Sequence, residues 1–173
     1  MTALRAPILA AALFLTLIAS AYAQKPVWRQ ASDAELAALL PTRAPVEKEH
    51  IETEMTTASG ITDGKGRFIA GVVIITAGYS ADGKYSHYLV VQAPLKLDSV
   101  QLPPGQYVFG FQHDGEGLSV HFFDALTGKP IGTAHAAIIP HNTQVRSLRI
   151  WPPNEKPLIQ IGRFGIPYEL EGN

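Results

Sequence analysis

Six histidines are the residues of this chain best able to do chemistry: His50, His87, His113, His121, His135 and His141. A metal site brings two or three imidazole or carboxylate ligands to one point, and short local spacing is its usual sequence mark. No H-x-H and no H-E-x-x-H occurs, and there is no cysteine to complete a thiolate site. The strongest candidate ligand set is His121, His135 and His141, with Asp124 near them in the chain. If the fold made them converge, a His-dependent metal enzyme would follow. Histidines scattered over turns and surface are the competing reading, and the spacing favours it.

Nucleophilic chemistry has one candidate. Ser119 lies two residues before His121 and so on the same face of a strand, with Asp124 beyond. Strand neighbours of this kind arise easily by chance, and the G-x-S-x-G elbow is absent. Gly128-Lys129 is followed by Pro130, which reads as a turn and not a phosphate loop. The Asp-Gly turns lack the 12-residue pattern of a calcium loop. Glu47, Glu49, Glu52 and Glu54 offer carboxylates for acid–base work. The weightier reading is a solvated edge strand whose charges prevent wrong pairing.

Among the aromatic residues, Trp151 precedes Pro152-Pro153 at a strand end, where its indole could stack on a sugar or peptide. Phe109, Phe111 and Phe122 would line the interior of a barrel that carries an apolar ligand. For Trp151, packing in the core or at its rim is the competing and favoured assignment. No cofactor is implied by any of these patterns.

The elements that must position these residues are strands. From Glu47 onward, segments of about 6 to 10 residues rich in β-branched and aromatic types alternate with Gly, Asp, Asn and Pro turns. They predict strands at 48–58, 67–79, 84–92, 95–102, 106–113, 117–124, 129–138, 144–151 and 157–162, with a last short one at 166–170. The fold class is all-β: a single antiparallel sandwich or barrel of about eight or nine strands. Asp114-Gly115-Glu116-Gly117 predicts a two-residue hairpin loop that sets His113 opposite Leu118. Tyr107, Phe109, Phe111 and His113 then share one face with Leu118, Val120 and Phe122, and the other face is mixed. Phe68 to Ala77 is apolar without alternation, as in a central strand covered on both sides.

The segment Leu102-Pro103-Pro104-Gly105-Gln106-Tyr107-Val108 resembles the L-P-x-G-x-Y-x-V strand start of bacterial transthyretin-like and carboxypeptidase-regulatory-type sandwiches. The resemblance covers under a tenth of the chain. It implies a β-sandwich and no activity.

Ahead of the β region, residues 24–46 form a lead-in. Ser32-Asp33-Ala34-Glu35 has capping-box spacing, and Leu36, Leu39 and Leu40 follow before Pro41. A short helix from Asp33 to Leu40 is expected. Residues 1–23 have the three-part layout of a secretory signal peptide: Arg5, an apolar run from Ile8 to Ala19, and Ala21-Tyr22-Ala23. The run is about 12 residues, short of the roughly 20 a membrane-spanning helix needs. Cleavage would leave Gln24 first and no membrane span. Arg5 is the one charge of that leader, so the mature chain drops from a formal charge of −1 to −2. That balance gives no electrostatic reason to expect nucleic acid. About 150 residues bury an adequate core without disulfides. The expectation is a periplasmic or secreted, non-catalytic protein of three parts: 1–23 signal peptide, 24–46 lead-in and 47–173 β domain. Its partner would be another envelope or secreted protein. The apolar-ligand carrier and the metal enzyme are the alternatives.

Overall fold

The structure is a computed structural model that describes residues 27–141 and 144–170. The expected signal peptide at 1–23 and the first lead-in residues, 24–26, lie outside the described residues.

A short strand, β1 (Arg29–Gln30), leads into helix α1 (Asp33–Leu39). Ser32 caps the helix: its hydroxyl accepts from the Glu35 N–H, and the Glu35 carboxylate accepts from the Ser32 N–H. Both ends of the reciprocal box are thus made. Leu36 and Leu40 turn inward and are buried. The strands that follow are β2 (Arg43–Val46), β3 (Glu49–Thr62), β4 (Phe68–Ile74), β5 (His87–Val91), β6 (Leu95–Leu97) and β7 (Val100–Leu102). The chain finishes with β8 (Gly105–Asp114), β9 (Gly117–Asp124), β10 (Pro130–Ile138), β11 (Arg146–Ile150), β12 (Leu158–Gly162) and β13 (Phe164–Leu170).

These strands make one antiparallel sheet in the order β1-β3-β4-β5-β8-β9-β10-β13-β12-β11, curled into a half-barrel. The all-β expectation holds, but there are thirteen strands and not eight or nine. The lead-in adds β1 and β2, which both hydrogen-bond to β3. The single strand expected at 95–102 is folded back on itself at Asp98, whose φ is 52°, and becomes β6 and β7.

Two apolar layers hold the sheet. The inner one includes Ile61, Ile69, Leu89, Phe109, Val120, Phe122, Leu148, Ile150, Ile159, Ile161 and Ile166. The outer one lies on the opposite face of β4, β5 and β8, where Ala70, Val72, Tyr88 and Val108 meet α1 and β2. Strands β4 and β5 are therefore covered on both sides, which is why their apolar residues do not alternate.

The β8–β9 hairpin has the expected register, with Asp114 opposite Gly117 and His113 opposite Leu118. Gly115 supplies the positive φ, 61°, that a two-residue loop requires. At the start of β8 the Tyr107 hydroxyl donates to the Pro103 carbonyl at 2.6 Å. This bond pins the Pro-Pro turn against the strand and explains the local L-P-x-G-x-Y pattern. Gly71 of β4 is small for a different reason. A side chain there would meet Leu148 and the Tyr88 carbonyl, so its absence lets β11 settle against the sheet.

Bulges curl the sheet. Between Glu54 and Ser59, β3 spends five steps where β4 spends two, from Val73 to Gly71. Strand β11 is irregular between Arg146 and Arg149. These two bulged strands are the ones that face each other where the curl nearly closes.

Candidate functional site

The four aromatic candidates end in three different places. Phe109 and Phe122 are 1 % exposed and pack together with ring centroids 5.3 Å apart. They fill the interior. Phe111 shares their face but lies nearer the hairpin end, where it is exposed. Trp151 is on the outer face beyond β11.

His121 and His135 do share a surface. Opposite residues in a ladder lie on one face, and the register pairs His121 with Thr133 and His135 with Ser119. All four point outward. His121 Nδ1 is 2.9 Å from the Thr133 hydroxyl, and His135 is exposed. His141 stands apart in the turn after β10, with φ 57°. Among the described residues, no three His, Asp or Glu side chains gather so that they could hold a metal ion. The Ser119–His121–Asp124 series is not a relay. Ser119 donates to Asp114 at 3.0 Å, and Asp124 accepts from the Thr127 N–H and hydroxyl at 2.8 and 2.7 Å. His121→Ala is expected to change stability by less than about 1 kcal/mol in urea unfolding, since it removes one half-exposed side chain with a single hydroxyl partner.

The acidic stretch is likewise dispersed. Glu47 accepts from the Tyr85 hydroxyl at 2.6 Å and from Lys84 at 3.2 Å, and these partners hold its carboxyl below the usual range. Glu49 accepts from Ser80 and Glu54 from Thr56.

The site that the residue types did not announce is the seam between β3 and β11. No ladder joins these strands. Instead the buried Ser59 hydroxyl accepts from the Ile150 N–H at 2.9 Å. His87 of β5 reaches the same strand, with Nε2 3.3 Å from the Ser147 carbonyl. A carbonyl only accepts, so Nε2 carries the proton, and Nδ1 is left to accept from Ser86 Oγ at 2.8 Å. The His87 ring stacks on Phe109 at 4.6 Å with 5° between planes. Burial lowers its pKa from 6.5 to about 4.

Outside this junction runs a groove of about 270 Å³. One wall is the β3 bulge, Thr56 to Ser59, and the other is Val145 to Arg149. Its lining is mostly polar. Residues 55–58 are paired to no residue of β4. Thr57 ties the bulge down by accepting from the Val73 N–H and donating to the Glu54 carbonyl. A second groove of about 340 Å³, lined by Leu36, Ala37 and Met55, shares Thr56 and Ala58 with the first. The two grooves thus meet the same stretch of β3, one on the α1 side and one on the β11 side.

No protein-family model matches the chain, and neither a curated protein nor a solved structure matches it significantly. No described helix is long and apolar enough to cross a membrane.

Proposed function

We propose that this is an exported, non-catalytic binding protein that works in the periplasm or outside the cell and engages another envelope or secreted protein through the β3–β11 seam. The observation that carries the reading is the unjoined seam itself. Two bulged strands, β3 and β11, meet without a ladder beside an open groove. Strand edges are the surfaces on which proteins most readily take up an extended segment of a partner. The leader at residues 1–23 supports export. The interior offers little to the carrier reading, because Phe109 and Phe122 occupy the space a ligand would need. The metal-enzyme reading has His121 and His135 on one face and His141 elsewhere.

Photo-crosslinking in the host tests the proposal. A benzophenone side chain placed at Thr56 or at Val145 is expected to trap the same protein, and one at the exposed Lys65 is expected to trap none. Absence of a seam adduct, together with a small molecule or metal retained in native mass spectrometry, would replace this reading with the carrier or the enzyme.

A further inference from the structure

We infer that the seam groove recognises an extended acidic segment, whose carboxylates bind Arg146 and Arg149 while its apolar residues lie toward α1; the inference rests on the binding-protein reading above. Residues three apart in a regular strand point to opposite faces. Here the bulge changes that. Arg146 lies opposite Gly162 and Arg149 opposite Gln160. With the extra residue of the bulge, both arginines line the same groove.

A built platform stands beside them. Gln160 is 1 % exposed. Its Nε2 donates to the Gln144 and Gly162 carbonyls at 2.8 Å each. Its Oε1 accepts from the Trp151 indole N–H at 3.2 Å. The indole is thereby fixed between two cations: the Arg149 guanidinium is 5.1 Å from its ring centre and Lys156 Nζ 6.0 Å. Arg146 donates to Gln144 Oε1 at 3.0 Å.

Charge decides the class of ligand. The ion pairs among the described residues are Arg29–Glu35, Arg67–Asp63, Lys84–Glu47 and Lys96–Glu169. Arg146, Arg149 and Lys156 take part in none of them, although the whole chain has more acidic than basic residues. The carboxylate nearest in sequence to the facing wall, Glu54, accepts from Thr56 through both its N–H and hydroxyl. Two cations over one indole, with Arg146 in the same groove wall as Arg149, favour an anionic partner, and Arg forks match carboxylates in two-bond geometry. The opposite wall supplies the Thr56, Thr57 and Ser59 hydroxyls and a strand bulge, which suit a peptide backbone. The neighbouring groove over Leu36, Ala37 and Met55, with Asp33 also in its lining, suits apolar side chains and disfavours further carboxylates. An anionic polysaccharide would satisfy the arginines but not that apolar end.

The test is fluorescence anisotropy on the mature protein with a labelled peptide, Val-Thr-Val-Thr-Glu-Thr-Glu. Saturable binding is expected, weakening as salt is raised. Arg146→Gln/Arg149→Gln should weaken it by at least about tenfold, which is the loss of one charged hydrogen bond. Arg146→Gln alone should give a smaller loss, and Lys65→Gln should leave affinity unchanged. Replacing both peptide glutamates by lysines should abolish binding. Equal affinity in wild type and the double variant would overturn the inference. So would Arg-dependent binding of dextran sulfate with none of the peptide. If the peptide fails but Thr56 and Val145 still crosslink one protein, the ligand chemistry is wrong and the binding-protein reading survives.

Discussion

Phe109→Ala is expected to lower stability by about 3–5 kcal/mol, the range for removing a buried aromatic ring from a packed core. Phe109 is 1 % exposed and touches Phe122 on one side and the stacked His87 ring on the other. Truncation would remove the ring that both pack against, and the surrounding strands are tied by ladders that resist collapse into the gap. Urea unfolding of wild type and variant measures the difference. The result also separates core from pocket. If Phe109 bordered open ligand space, the alanine variant would lose little stability and gain volume for the ligand. A loss below about 1 kcal/mol would therefore revive the carrier reading.

Acidification from pH 6.5 to about 4 is expected to cost the wild type roughly 3 kcal/mol through His87 alone, at 1.36 kcal/mol per pKa unit. In the fold this imidazole stays neutral until the pH nears 4; in the unfolded chain it takes a proton below its ordinary 6.5. The unfolded state then binds more protons, so stability falls across that window and flattens beneath it. His87→Phe keeps a flat ring on Phe109 but removes the proton site. Its urea midpoints should stay level between pH 6.5 and 4.5, where the wild type declines. Glu47 acts lower. Its carboxyl is held down by Tyr85 and Lys84, so the stability it contributes is lost only as pH falls below its ordinary 4.5. Parallel pH curves for wild type and His87→Phe would show that the ring is not shielded as described.

The strands were legible because alternation and turn chemistry are local. Asp114 to Gly117 carries its own hairpin geometry, and Ser32 with Glu35 carries its own helix cap, so both could be read from a few adjacent residues. The unbroken apolar run at Phe68 likewise announced a strand covered on both faces. The seam was not legible. Arg146 and Arg149 read as opposite faces of a strand, and only the bulge against β12 brings them together. His87 looked like any of six histidines, since its burial depends on Phe109, 22 positions on, and on Ser147, 60 positions on. Trp151 stands just past the end of β11, and Arg149 two residues earlier and Lys156 five later are within reach of local reading; what no local pattern shows is Gln160, whose Oε1 holds the indole.

The bond between Ser59 and Ile150 spans 91 positions of chain. In a polypeptide delivered N-terminus first, β3 and β4 must wait for almost all the remaining sequence before β11 arrives to cover them. Until then the inner face around Ser59, Ile61 and Ile69 lacks its β11 cover, and residues 55–58 of β3 have no partner in β4. Such unpaired stretches recruit other chains. Strand β2, made just before β3, already pairs with Glu49 to Glu52, so the stretch left open is the bulge beyond Glu54. Thr57 ties that stretch to Glu54 and Val73 out of regular strand geometry, so a second copy finds no straight edge to join during the chain's longest wait.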